Sequence, residues 1–406
     1  MTASSAVEFL LWLLIAASVI AVLARARRIP YTAALVVGGV LLSLLRLPHL
    51  SPLEPGQRPN WLTPDVILIL FLPALVFEGS VKLNLRDLLR DWAPLLLLAN
   101  VGVLLAAVVT GFVVHWLLGL PVLVSLLFGA IISATDPISV LALFKDLKTN
   151  KRLSVIIEAE SLLNDGTAAV LFQIVLAGMV AGNLTLAKGL GQFFFAVGGG
   201  AALGMVSGYV VRRITQTLDD RQIEITLTTV AAYGSYLLAY HLHWSGIIAT
   251  ATAGLMVGDA GAKHRMSGET RAALESFWEY IAFAMNSLVF LLIGLEVQID
   301  SLARAWRPVL FAIAAVLIGR AVSVYLLVPA SNRVGEIIPL RWQHVMVWGG
   351  LRGALGLALA LSLDNSNPYR NPLLDLTFGV VIFSILVQGL TMRPLLRWLG
   401  LASDRA

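Results

Sequence analysis

The chain has 406 residues, of which 58% are hydrophobic and only 13% charged, with a mean hydropathy of +0.85. That lies far outside the range of soluble globular domains and reads as an integral membrane protein. With no cysteine, disulfides, thiolate metal sites and cysteine catalysis are excluded, and a net charge of +5 held mostly in short loops does not suggest nucleic acid as a partner.

About 20 apolar residues are needed to cross the hydrocarbon core as a helix. In chain order, thirteen runs qualify as candidate spans: roughly 6–24, 31–45, 63–80, 93–117, 121–144, 153–181, 187–211, 223–240, 244–259, 273–297, 306–329, 340–363 and 373–392. The expected fold is therefore an all-α polytopic membrane protein, in one transmembrane domain spanning 1–406 with no soluble domain. The second and ninth spans are short. Nothing basic precedes the first run and "RARR" follows it, so it reads as a retained span and not as a signal peptide. Lys and Arg concentrate in the loops after odd-numbered spans, such as Arg25, Arg27 and Arg28 after the first and Lys145, Lys148, Lys151 and Arg152 after the fifth. This bias predicts an outside N-terminus and a cytoplasmic C-terminus, with 393–406 as a short cytoplasmic tail.

A charge at membrane depth is costly and tends to face a partner or a water-filled cavity. The candidates are Glu78, Asp136, Glu158, Glu160, Asp165, Glu296, Arg320 and Arg352. Asp136, in "SATDPISVLALFK", lies nine residues from the inner end of the fifth span, about 13 Å by helix rise, and Asp165 thirteen residues into the sixth, about 20 Å. Both acids thus fall in the middle of the membrane on consecutive antiparallel spans. Pro137 removes a backbone donor, so "SATDP" is either a broken helix whose carbonyls and hydroxyls bind a cation or a proline kink with a structural Asp. The matched depth of Asp165 favours the first.

Spacing divides "ESLLNDG". Asp165 shares a helix face with Ser161 and Glu158, whereas Glu160 is about 140° away and needs a different partner. Arg352, in "WGGLRGALGLALAL", is the partner expected, and we read Glu160 and Arg352 as scaffold. A second buried pair is open to Glu78 and Arg320, and Glu158 is expected in a cytoplasmic funnel. Gly200, Gly204 and Gly208 form a small-residue stripe that reads as helix packing.

The blocks "SATDPISVLALFK", "EAESLLNDGTAAVLF", "LIGLEV", "GRAVSVY" and "WGGLRGALGLALAL" resemble, in order and spacing over nearly the whole chain, the monovalent cation–proton antiporter family of NhaP-type and animal-type Na+/H+ exchangers. The resemblance implies two inverted-topology six-helix repeats, about 6–181 and 223–392, joined by a linking span at 187–211, with crossed broken helices. It implies cation and proton binding at Asp165 and Asp136, with oxygens from Thr135 and Ser161. It assigns Glu160 and Arg352 to a structural ion pair, and it implies a homodimer in the plasma (inner) membrane. It implies transport of Na+ (or Li+) against H+ with no cofactor, by alternating access and competition at Asp165. Electrogenic relatives carry Asp where this chain has Asn164, so the resemblance also implies one-for-one electroneutral exchange. K+/H+ exchange stays open. An intramembrane aspartyl protease also pairs two Asp, but its Gly-x-Gly-Asp signature is missing, as is the TVGYG filter of a channel.

Overall fold

The computed structural model describes residues 3–27, 30–45, 66–182, 185–215, 220–259 and 268–402. Helix occupies most of the described part of every range marked in the sequence, with breaks at 134–137 and 349–353. Helices α1 (Ala3–Arg27) and α2 (Tyr31–Leu45) are followed by a π-turn, Ile67–Phe71, that runs into α3 (Leu72–Lys82). Residues 63–65 of the expected third span lie outside the described residues. Short helices α4 (Leu85–Arg90) and α5 (Trp92–Leu96) lead through a second π-turn, Leu97–Gly102, into α6 (Val103–Leu118). Next come α7 (Val122–Ser133), α8 (Ile138–Leu147), the long α9 (Lys151–Ala181) and α10 (Leu186–Thr215), then α11 (Arg221–His241) and α12 (Gly246–Gly258). The chain continues with α13 (Gly268–Leu295), α14 (Ile299–Arg304), α15 (Trp306–Ser331), α16 (Leu340–Trp348), α17 (Ala354–Leu361) and α18 (Arg370–Phe383). A third π-turn, Ser384–Gln388, joins α18 to α19 (Gly389–Trp398).

Among the described residues, eight helical runs are long and apolar enough to cross a membrane, three of them joining consecutive elements (Trp92–Leu118, Val122–Leu147 and Arg370–Trp398), while Tyr31–Leu45 and Gly246–Gly258 are shorter apolar helices. The chain is a multi-pass membrane protein. The segment set aside as a tail from residue 393 continues as helix to Trp398, because Met392 and Leu396 are buried on one face while Arg393 and Arg397 take the other. Residues 403–406 lie outside the described part.

Two sets of helices pack around separate apolar centres. In one, α3, α11, α12 and α13 bury Phe77, Ala232, Val257 and Trp278; the Phe77 and Trp278 rings are 4.6 Å apart and the indole N–H donates to Thr228 Oγ1 at 3.1 Å. In the other, α6, α7, α9, α15 and α18 enclose Val114, Phe128, Phe172, Val324 and Phe378. Where α9 begins, Arg152 grips the buried Asp91 through Nη2 at 2.6 Å and donates to the carbonyls of Glu336 and Ile337. Arg90 takes the Glu336 side chain, and that hydrogen-bonded contact holds the Glu336 carboxyl below the usual carboxylate range. Two connections, the one between α4 and α5 and the one between α15 and α16, are thereby tied to one end of α9.

The glycine stripe on α10 faces α12. A Cβ at Gly200 or Gly208 meets the carbonyl oxygen of Ser245 at 2.6 Å or of Ala253 at 2.7 Å, and one at Gly204 meets Thr252 Oγ1 and the Ala249 carbonyl. Without side chains the two backbones approach closely, which is how helices gain packing energy where lipid is as apolar as their surfaces.

Gly204→Val is therefore expected to destabilise the detergent-solubilised protein by about 1–3 kcal/mol, the usual cost of overpacking. Gly198→Val, on the same helix but facing open space, should leave the melting temperature nearly unchanged. Equal melting curves for the two variants would refute this packing.

Candidate functional site

Two interrupted helices meet. Helix α7 stops at Ser133, Ala134 is extended (φ −59°, ψ 138°), and helix resumes only after Pro137, which has no N–H to continue the ladder. Between α16 and α17, residues 349–353 are likewise non-helical, with Gly353 at φ −130°, ψ −154°. The breaks bind each other directly: the Asp136 N–H donates to the Leu351 carbonyl at 2.8 Å. A Cβ on Gly353 would strike the Asp136 side chain, so glycine is needed where the two breaks touch. Asp136 Oδ1 accepts from the Ile138 N–H at 2.9 Å, at the start of α8, and its side chain lies against the start of α17. Helix N-termini carry partial positive charge, so both favour a carboxylate at that place.

The carbonyls freed at the other two helix ends are taken by arginines. Arg352 Nη1 donates to the carbonyls of Ser133 (2.9 Å) and Ala134 (3.2 Å) at the end of α7. Arg320 donates from Nε (3.2 Å) and Nη2 (3.1 Å) to the Met346 carbonyl near the end of α16. Ser384 and Gln388, both in the third π-turn, complete the second break: Ser384 Oγ accepts from the Arg352 N–H at 3.0 Å, and Gln388 Nε2 donates to the Trp348 carbonyl at 3.0 Å. Neither residue was singled out from the sequence.

The expected pairing of Glu160 with Arg352 is not what the structure has. Glu160 makes a two-pronged bond to Arg320, at 2.8 and 2.9 Å, and both residues are buried. The reason is that Arg352 Nη1 is committed to the α7 carbonyls, while Arg320 comes from α15 and its planar fork turns Nη1 and Nη2 to the carboxylate while still reaching the Met346 carbonyl. The pair of Glu78 with Arg320 is likewise absent: Glu78 is bridged by Lys82, one helical turn on, which also contacts Glu279 at 2.9 Å.

Asn164 ties these parts together. Its Nδ2 donates to Thr135 Oγ1 at 2.6 Å and to Glu160 Oε1 at 3.1 Å, and its Oδ1 accepts from the Thr135 N–H at 3.3 Å. Thr135 Oγ1 is also 2.9 Å from Ser161 Oγ. One buried network thus runs from the first break through Asn164 and Glu160 to Arg320 and the second break.

Beside it lies a cavity of about 150 Å³. Asp165, Ser161 and Glu158 of α9, Thr135 and Asp136 of the first break, Glu78 of α3 and Gly353 of the second break line it; Glu160, Asn164, Arg320 and Arg352 do not. Glu158 also lines a larger cavity of about 370 Å³, with Lys82, Asp87 and Lys151, so the two spaces adjoin at that residue. The sequence reading missed one polar lining residue, Asn286 of α13. Its signal was faint: it is the one Asn or Gln between 273 and 297.

Chemically the cavity presents hard oxygens: the carboxylates of Asp165, Asp136, Glu158 and Glu78, the hydroxyls of Thr135 and Ser161, the Asn286 amide and unwound backbone. Such a set suits alkali cations and protons, not soft metals.

Comparison with known proteins gives a consistent result. The model of the transmembrane sodium/hydrogen exchanger family matches residues 13–398. The chain is 41% identical over 386 residues to the Na+/H+ antiporter ApNhaP of Aphanothece halophytica, covering 94% of this chain and 71% of that one. It is 38% identical over 400 residues to the Na+/H+ antiporter NhaH of Halobacillus aidingensis, covering 98% of both. Its fold matches the sodium proton antiporter MjNhaP1 of Methanocaldococcus jannaschii with a TM-score of 0.79 at 21% identity, over 98% of this chain and all of the other.

Removing one partner of a buried ion pair leaves a charge uncompensated and costs about 3–5 kcal/mol. Arg320→Met and Glu160→Gln should each lower the melting temperature sharply, and the double variant should lose less than the two losses added. Strictly additive losses in thermal unfolding would contradict the pairing.

Proposed function

The chain belongs to the sodium/hydrogen exchanger family, and on that premise we propose that it exchanges Na+ for H+ across the plasma membrane at Asp165 and Asp136, with Thr135 and Ser161 supplying further oxygens. It is a transporter and not an enzyme. The observation that carries the site is the convergence of both carboxylates and both hydroxyls on one cavity beside two broken helices. Unwound backbone at membrane depth is tolerated where it lines such a cavity, and helix ends there supply fixed partial charges to a bound ion.

Charge balance gives the coupling. With their carboxylates ionised, Glu160, Asp136 and Asp165 bring three negative charges, and Arg320 and Arg352 bring two positive ones; Glu78, bridged by Lys82, and Glu158, which also lines the larger cavity, stand outside this sum. One Na+ or one H+ makes the cluster neutral. An empty site carries a buried charge, which is costly to move through low dielectric. A loaded site is not so penalised, so only occupied forms cross in alternating access, and the two ions compete for the same Asp165. Asn164 adds no charge to this sum; its amide is spent on Thr135 and Glu160. The exchange is therefore one for one and electroneutral. Thirteen spans with an outside N-terminus, two inverted repeats and a homodimer complete this reading, supported by the loop charges and by family membership.

The test uses proteoliposomes with an imposed pH gradient and Na+, Li+ and K+ added in turn. Na+ and Li+ should dissipate the gradient at the same rate with or without an imposed voltage. No response to any of the three ions would sink the antiporter reading. A response to K+ alone would move the substrate to K+, and voltage-driven Na+ uptake that collapses the potential would sink electroneutrality.

A further inference from the structure

Most buried oxygens near the site are hydrogen-bonded, which is the rule for protein interiors. Among the described residues, two buried side-chain oxygens that line the cavity have no partner: Asp165 Oδ1 and Asn286 Oδ1. The first belongs to the proposed ion site. The second comes from a different wall. Helix α13 packs chiefly against α2, α3, α11 and α1 and more lightly against α17, whereas Asp165 and Asp136 stand on α9 and at the break between α7 and α8. Leaving a desolvated acceptor without a donor is costly, so its retention asks for a cavity occupant that supplies a donor or a positive charge.

The geometry points to Asn286 as a cation ligand that donates its amide oxygen from the wall facing the carboxylates. This inference rests on the proposed exchange at Asp165 and deepens it. An amide oxygen is a hard, neutral donor suited to alkali cations. Being neutral, it leaves the one-for-one charge balance intact. It also takes up no proton near neutral pH, so it serves the cation-loaded site and not the proton-loaded one. Asn286 thereby weights the competition at Asp165 toward the metal ion. Its placement on a separate wall also means that cation binding draws two helix groups onto one ion, which Asp165 and Asp136 alone would not do.

The experiment is pH-gradient dissipation in proteoliposomes as a function of Na+ concentration at alkaline pH, for the native chain, Asn286→Leu, Asn286→Asp and, as control, Asp165→Asn. Asn286→Leu keeps the side chain's bulk and removes its oxygen. Its half-saturating Na+ concentration should rise about tenfold, the factor that one contact of about 1.4 kcal/mol carries, with a smaller fall in maximal rate. Asn286→Asp should move it the opposite way, to lower Na+ concentration. A residue that only packs would be harmed by both changes. An unchanged half-saturating concentration in Asn286→Leu, or a rise in Asn286→Asp, overturns the inference; if the leucine variant does not fold, the aspartate variant decides. Exchange retained by Asp165→Asn, or absent from the native chain, instead overturns the site itself.

Discussion

A helix interrupted inside a membrane leaves carbonyl groups that hydrocarbon does not satisfy, and this constraint governs the centre of the molecule. The interruptions after Ser133 and after Trp348 each free such groups, and each is met by a buried arginine: Arg352 for the end of α7, Arg320 for the end of α16. Bringing two guanidinium groups to that depth requires compensating negative charge. Glu160 compensates one of them directly. The remaining balance falls to Asp136 and Asp165, which stand beside the cavity with no guanidinium of their own. The scaffold therefore does more than hold the site. Its charges set how much positive charge the site must take up to become neutral.

The same logic accounts for Asn164. At 3.1 Å from Glu160 and 2.6 Å from the Thr135 hydroxyl, it acts as a donor to both. A carboxylate there would have no N–H to give and would set a like charge beside Glu160, so an amide fits a network in which Glu160 is already committed to Arg320. The proposed stoichiometry and the local hydrogen bonding thus ask for the same residue type.

Much of this was legible in the sequence. The apolar runs mark where helix forms, Pro137 and the glycines around Leu351 mark the two breaks, and the seven-residue spacing from Glu158 to Asp165 puts both on the face that lines the cavity, with Glu160 turned away. The stripe of Gly200, Gly204 and Gly208 foretold a close helix contact. What was not legible is the choice among partners. Glu160 had two intramembrane arginines to choose from, and spacing along one helix says nothing about which distant helix packs against it. Arg352 looked available because its demand comes from the carbonyls of another segment, which appear only once α7 and the second break cross. Asn286 was hidden for a similar reason: a single amide in an apolar run has no period or companion to announce it, and its meaning comes from the wall it stands on.

The central claim is that proton and cation occupy the same carboxylate by turns. Its most direct measurement is proton release from the purified, detergent-solubilised protein, in weak buffer with a pH indicator, on addition of Na+. The account predicts release from the native chain that saturates with Na+ and is lost in Asp165→Asn. Na+-induced release that persists in Asp165→Asn would contradict it.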